Sequence, residues 1–322
     1  MCTAVSFSTK DHYFGRTLDH TCSYGEEVVI TPRNCPFEFR HTPALKTHHA
    51  IIGMAYVADG CPLYYDGVNE KGLAMAGLNF VGYARYGKPA HGKDNIAQFE
   101  MLPWVLAQCA SVAEARQLMA HINVVDTPFR DDMPASELHW MIADRTAAIV
   151  VEVTADGLHI YDAAAGVMTN NPEYPWHMQN LANYMHLTPE SPENTFGDIP
   201  IARFSNGLGA AGLPGDMSSP SRFVRAAFVR ANSVCGTGEQ ESVSRFFHIL
   251  SSVEQPRGCC ITPDGKYMET VYASCCNTAK GIYYYRTYDG HVTQAIHMFR
   301  ENLDGAELIR YPLNAGNITM VN

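Results

Sequence analysis

The order of the elements legible in this chain constrains its fold more than any motif does. Runs with strand character come first, at 2–8, 13–19, 26–31, 49–57 and 73–80, with Asp11 and Gly25 as punctuation. Residues 62–65 lead into a polar turn over 66–72. Helical periodicity follows. Val112, Ala115, Leu118, Met119 and Ile122 fall at i, i+3, i+6, i+7 and i+10, with Ser111 as N-cap. Phe99, Leu102 and Leu106 predict an earlier helix, disturbed by Pro103. Strand patterns return at 138–143, 147–154 and 158–161, and 176–185 reads as helical. The span 188–215 is rich in Pro, Gly, Asn and Ser and reads as a long loop, a length that usually marks function or mobility. Ser219 then caps a helix with Pro220 at its first position. Val243, Phe246, Phe247 and Leu250 form another apolar stripe. Strand-like runs at 258–262, 267–274, 281–287 and 293–298 come last.

Such blocks are not the strand–helix alternation of a doubly wound fold. Two antiparallel sheets packed together, with helices outside, fit better: an α+β architecture. No repeat or clean boundary divides residues 1–322, so one domain is expected. The 46% apolar and 17% charged content exclude a disordered chain. Lys and Arg total 23 against 33 Asp and Glu, a formal charge of −10. That balance argues against nucleic acid or an anionic membrane surface as partner. No run approaches the roughly 20 apolar residues of a membrane span. The start, Met1-Cys2-Thr3-Ala4, has no basic n-region, so a cytoplasmic chain with reduced thiols is expected.

The ten cysteines are Cys2, Cys22, Cys35, Cys61, Cys109, Cys235, Cys259, Cys260, Cys275 and Cys276. None form C-x-x-C, and the adjacent pairs alternate faces on a strand, so they make poor zinc ligands. All but Cys2 are expected to be small apolar filler. Cys2 differs because removal of Met1 gives a first residue with both a thiol and an α-amine. An amine with a pKa of about 7.7–8.0 can take the thiol proton, so one residue supplies nucleophile and base.

The surrounding sequence carries a resemblance. It runs through Cys2-Thr3-Ala4, Phe14-Gly15-Arg16-Thr17-Leu18-Asp19, and Tyr65-Asp66-Gly67-Val68-Asn69-Glu70-Lys71-Gly72-Leu73 followed by Gly77-Leu78-Asn79-Phe80. It continues through Val167-Met168-Thr169-Asn170-Asn171-Pro172, Leu213-Pro214-Gly215-Asp216, Ser219-Pro220-Ser221-Arg222-Phe223 and Phe246-Phe247-His248-Ile249-Leu250. In this order, nearly end to end, the segments resemble the bile salt hydrolase and penicillin V acylase family. The resemblance implies the four-layer αββα sandwich of N-terminal-nucleophile hydrolases. It implies Cys2 as nucleophile, Asp19 as the carboxylate holding its amine, and Arg16 as the cation beside the thiol. Asn170 and the backbone N–H of Asn79 would form the oxyanion hole, and Arg222 would be the second cation. Tyr24, Tyr65 and Phe129 would line an apolar substrate pocket. The reaction implied is hydrolysis of glycine- or taurine-conjugated bile salts through a thioester. It needs no metal or organic cofactor, and the enzyme would be a homo-oligomer, with the tetramer as the state the resemblance implies. Three features favour the bile salt branch over penicillin V: Asn79 where penicillin V acylases often carry Tyr, the residues around Cys2 and Arg16, and Leu138-His139-Trp140. Penicillin V or N-acyl-homoserine lactones as substrates on the same fold, and a non-catalytic ligand-binding role, remain as alternatives.

Other motifs fail on context. Gly207, Gly209 and Gly212 match G-x-G-x-x-G without a preceding strand. His48-His49 lacks metalloprotease spacing. The sequon Asn317-Ile318-Thr319 has no secretory context.

Overall fold

The computed structural model describes residues 1–314. Its strands are β1 (Cys2–Ser8), β2 (His12–His20), β3 (Glu27–Thr31), β4 (Ile51–Ala58), β5 (Cys61–Asn69), β6 (Ala74–Asn79), β7 (Asp94–Ala97), β8 (Ile122–Val125), β9 (Leu138–Ala143), β10 (Ala148–Thr154), β11 (Gly157–Asp162), β12 (Val167–Met168), β13 (Glu269–Asn277), β14 (Ile282–Thr287), β15 (Gln294–His297) and β16 (Ile309–Pro312). The helices are α1 (Met101–Gln108), α2 (Val112–Met119), α3 (Tyr174–Asn180), α4 (Ser219–Asn232) and α5 (Glu239–Ser251). One antiparallel sheet has the order β12-β1-β2-β13-β14-β15, and the other β11-β10-β9-β6-β5-β4-β3-β16. β7 and β8 form a small parallel pair.

Alternation along the strands explains the layering. In the larger sheet Val28, Ile30, Met141 and Ala143 face the smaller sheet, while Val29, Trp140 and Ile142 face α1 and α2. Both faces are apolar, which is why these strands read as continuous hydrophobic runs. The smaller sheet is covered on its far side by α4 and α5, through Phe223, Ala226, Phe246, Phe247 and Leu250. The layers are therefore helix, sheet, sheet, helix.

Several expectations need correction. The polar run 66–72 is not one turn: β5 continues to Asn69, and only the following residues turn. Asn69 makes this possible. Its Oδ1 accepts from the N–H groups of Lys71 and Leu73, its Nδ2 donates to the carbonyls of Leu106 and Cys109, and Gly72 supplies φ +91°. Residues 258–262 form only a bridge, Ile261 to Tyr267, because β13 already has β2 and β14 as neighbours. Pro103 sits in the first turn of α1, where no intrahelical N–H is required. Ser218, not Ser219, is the N-cap position of α4. The 176–185 helix starts earlier, as α3, and ends in a 3-10 turn, Leu181–Tyr184. Strands β7, β8, β12 and β16 were not foreseen; each has two to four residues. Cys109, Cys275 and Cys276 are buried filler, but Cys22 and Cys259 are exposed. The sequon at Asn317 lies outside the described residues.

Candidate active site

Cys2 opens β1, and the tight β1–β2 hairpin pairs it with Leu18 and pairs Ala4 with Arg16. Period-2 alternation puts Cys2 and Arg16 on the face toward the larger sheet, diagonal neighbours that a long side chain can span. The Arg16 Nη2 donates to Cys2 Sγ at 2.6 Å. Its Nη1 donates to the carbonyls of Tyr65 (3.1 Å) and Gly77 (2.5 Å), and its Nε to that of Thr17. Arg16 is 1% exposed. Burial opposes its charge, yet Cys2, Tyr272, Asp66 and Asp19 outweigh that and raise its pKa.

Thr3, Thr17 and Asp19 alternate onto the opposite face, beneath α4. The Asp19 carboxylate accepts from Thr270 (2.7 Å), Thr17 (3.3 Å) and Gln255 (3.4 Å). Its backbone pairs with Met1: the Met1 ammonium donates to the Asp19 carbonyl and the Asp19 N–H to the Met1 carbonyl. Among the described residues no hydrogen bond joins the Asp19 carboxylate to Cys2, whose nitrogen is still a peptide N–H.

Arg222 approaches from α4 and is 0% exposed. Its Nη1 donates to the Cys2 carbonyl (2.6 Å) and the Thr3 hydroxyl (2.7 Å), and its Nη2 to Asn170 Oδ1 (2.7 Å). Burial lowers its pKa, with Asp19 and Cys2 opposing. Asn170 Oδ1 also accepts the Cys2 N–H at 2.8 Å, and Asn170 Nδ2 donates to the Asn79 carbonyl at 2.7 Å. The structure thus joins Cys2, Arg16, Asn79, Asn170 and Arg222 in one hydrogen-bonded cluster, with Asp19 at its edge.

The pocket residues divide. Tyr65 is attached to the cluster by its carbonyl, and its ring lies 6.5 Å from that of Tyr272. Tyr24 is exposed, its ring 5.1 Å from His20 and 6.4 Å from Tyr56. Phe129 has partners of its own. Its ring packs on Phe99 at 5.3 Å and under the Arg40 guanidinium, which also holds its carbonyl. It lines a cavity of about 410 Å³ whose lining does not include Cys2. Tyr64 points away from the cluster into a hydrogen bond with Thr31.

Sequence reasoning missed the support behind the cluster. Asp66, read as a turn residue, is 2% exposed and accepts from Tyr272 (2.6 Å), Tyr283 (2.8 Å) and Ser274 (2.9 Å). Ser274 also accepts the Arg16 N–H. Burial raises the Asp66 pKa against these donors and Arg16. A charged residue amid strand-forming residues was the available signal. Ser219, read as a helix cap, instead accepts the Asn170 N–H at 2.9 Å. Among the described residues no group of three or more His, Cys, Asp or Glu side chains is placed to hold a metal ion.

A thiol on residue 2, heading the first strand of two face-packed antiparallel sheets between helix layers, defines an N-terminal-nucleophile amide hydrolase. Residues 2–311 match the family described as linear amide C–N hydrolases, choloylglycine hydrolase family. A bile salt hydrolase/transferase of Lactiplantibacillus plantarum is 48% identical over 316 residues, covering 98% of each chain. The structure of a Cys2→Ala variant of the Clostridium perfringens conjugated bile acid hydrolase aligns over the whole of both chains, with TM-score 0.93 and 40% identity. Penicillin V acylase from Agrobacterium tumefaciens shares the fold, with TM-score 0.75 and 19% identity over 96% of this chain and 90% of that one. This chain belongs to the choloylglycine hydrolase family. Among the described residues no helix is long and apolar enough to cross a membrane.

Proposed function

We propose that this enzyme hydrolyses the amide of glycine- or taurine-conjugated bile salts, with Cys2 as nucleophile. The observation that carries the chemistry is the Arg16 guanidinium on the Cys2 sulfur at 2.6 Å, in a buried site. A cation so placed favours the thiolate. Similarity to bile salt hydrolases over nearly the full length supports the substrate.

The reaction begins after Met1 is removed, which turns the Cys2 nitrogen into an amine. That amine takes the thiol proton, and Asp19 orients it. The sulfur bonds to the substrate carbonyl carbon, and the carbonyl electrons pass to oxygen. One hydrogen of the Asn170 amide is fixed on the Asn79 carbonyl, and the other meets the oxyanion together with the Asn79 N–H. Collapse breaks the C–N bond, and glycine or taurine leaves with the proton from the amine. Water, activated by the same amine, then cleaves the thioester. A second amine in place of water gives acyl transfer. Arg222 fixes the Cys2 carbonyl and the Asn170 amide, so the nucleophile and the oxyanion donor share one support. Tyr24 and Tyr65 flank the steroid; the position of Phe129 lends that residue no support.

A single-domain, cytoplasmic homotetramer completes the proposal. Exposed Phe196, Ile199, Ile201 and Phe204 on the long loop support an interface between copies, which sedimentation checks. The central test is kcat/KM for glycocholate, taurocholate and penicillin V on one preparation, with intact mass. The active protein should lack one methionine and prefer the bile salts. A clear advantage for penicillin V overturns the substrate, and full activity with Met1 retained overturns the mechanism.

A further inference from the structure

His139 has no part in the steps above, yet it is bound to both segments that carry the oxyanion donors. It is 1% exposed, on β9, where its backbone pairs with Leu78, next to Asn79. Its ring stacks on Phe80, the residue after Asn79, with centroids 4.3 Å apart and planes 7° from parallel. Its Nε2 faces the Thr169 carbonyl at 2.9 Å, the peptide that leads into Asn170. Its Nδ1 faces Glu152 Oε1 at 3.1 Å, on β10. Glu152 is 0% exposed, and its carboxylate also accepts the N–H of Tyr174, which opens α3 just beyond Asn170. A second buried histidine, His177, places Nε2 2.9 Å from the Asn170 carbonyl.

We infer that His139, oriented by Glu152, is a positioning residue that sets the Asn170 amide and the Asn79 backbone in one geometry for the oxyanion. Thr169 and Asn170 follow a strand of only two residues in the smaller sheet, so that sheet holds them weakly. Asn79 ends a strand of the larger sheet. The two donors therefore belong to different layers, and their separation is fixed only by what crosses between them. The imidazole makes that crossing. Both of its nitrogens meet oxygens, one on each side of the ring. Held at Nε2 by the Thr169 carbonyl and at Nδ1 by Glu152, the ring is fixed in plane against Phe80. Misplacing donors by even an ångström is known to cost about a hundredfold in rate.

The inference rests on Asn79 and Asn170 being the oxyanion donors, and the test separates the two claims. His139→Phe keeps the stacking and removes the donor to Thr169; His139→Gln keeps a donor. Each is assayed for kcat and KM with glycocholate and for alkylation of Cys2 by iodoacetamide, which forms no oxyanion. His139→Phe should lower kcat on the order of ten- to a hundredfold, leaving KM and alkylation within about twofold. His139→Gln should recover most of that loss, and Glu152→Gln should lower kcat by about three- to tenfold with the same split. If His139→Phe keeps kcat, or if alkylation falls in step with kcat because the whole site has loosened, the positioning role is overturned. Should His139→Phe not fold, the Glu152→Gln split decides by the same criteria. Asn170→Ala run alongside tests the underlying reading: unchanged kcat there removes the oxyanion assignment, whatever His139 does.

Discussion

The two halves of the site are built by different means. The thiol half, with Cys2, Arg16 and Asp19, comes from one hairpin of the smaller sheet. Hairpin register and strand alternation bring its residues together, and carbonyls of the larger sheet steady Arg16. The Asn170 half comes from the end of a strand in the other sheet, a short segment after β12, and the first turn of α4. Only side chains join these: Arg222 to Asn170, Asn170 to Asn79, Ser219 to the Asn170 N–H, and His139 to Thr169. The buried cations differ likewise. Arg16, among carbonyls, the thiol and Asp66, has its pKa raised, whereas burial prevails at Arg222. The first half should therefore control the state of the sulfur, and the second the fate of the substrate carbonyl.

The largest effect expected is at the sulfur itself. Cys2→Ser should lower kcat by about 10⁴ or more, because a hydroxyl is scarcely ionised where a thiol is. Near-normal turnover would assign the nucleophile to another cysteine. Next comes Asn170→Ala, with an expected loss of about 10²–10³ in kcat and unchanged alkylation of Cys2. A parallel loss of alkylation would erase the distinction between the halves. Arg16→Gln should act in the converse sense. Alkylation and acylation should both slow, on the order of ten- to a hundredfold, as the cation beside the sulfur is lost. Alkylation at the wild-type rate would remove Arg16 from control of the thiol.

The same contrast decides what was legible in the sequence. Cys2, Arg16 and Asp19 lie within one hairpin, so motif and alternation together place them. The sandwich was legible too, because long apolar strands and amphipathic helices carry their periods in the sequence. Asp66 was misread because a carboxylate beside Gly67 ordinarily marks a solvated turn. The Arg16 cation and three hydroxyls from the facing sheet make it tolerable in a buried strand, and nothing local announces them. Ser219 was read as a cap, the common role of Ser before Pro, because its real partner lies on another segment. The surroundings of Phe129 were not legible for a related reason. Its loop is anchored by Arg40, and a guanidinium over an aromatic ring is a tertiary contact without a sequence period.

The smallest effect expected concerns acid, and it involves two buried histidines, one beside the Asn170 half and one at the turn end of the β1–β2 hairpin, away from Cys2. His12 starts β2, with Ser6 on Nε2 and Thr278 on Nδ1, while His177 faces the Asn170 carbonyl. Burial lowers each pKa to about 4. An unfolded histidine titrates near 6.5, so between these values the unfolded chain binds a proton that the native chain does not. Stability from each is complete above about pH 6.5 and is lost as pH falls toward 4. At pH 5 that amounts to about 2 kcal/mol per histidine. Asp66, Glu100 and Glu254, whose pKa values burial raises, act in the opposite direction. They act alike in every variant, so the readout is a difference between proteins. Urea unfolding at pH 7 and pH 5 should show a smaller acid loss for His12→Gln and for His177→Gln than for wild type, by about 2 kcal/mol each. His177→Gln should also lower kcat at pH 7 while His12→Gln, away from the site, should not; equal kcat in both variants would remove His177 from support of Asn170. An undiminished acid loss in either variant would show that its histidine protonates freely in the native state.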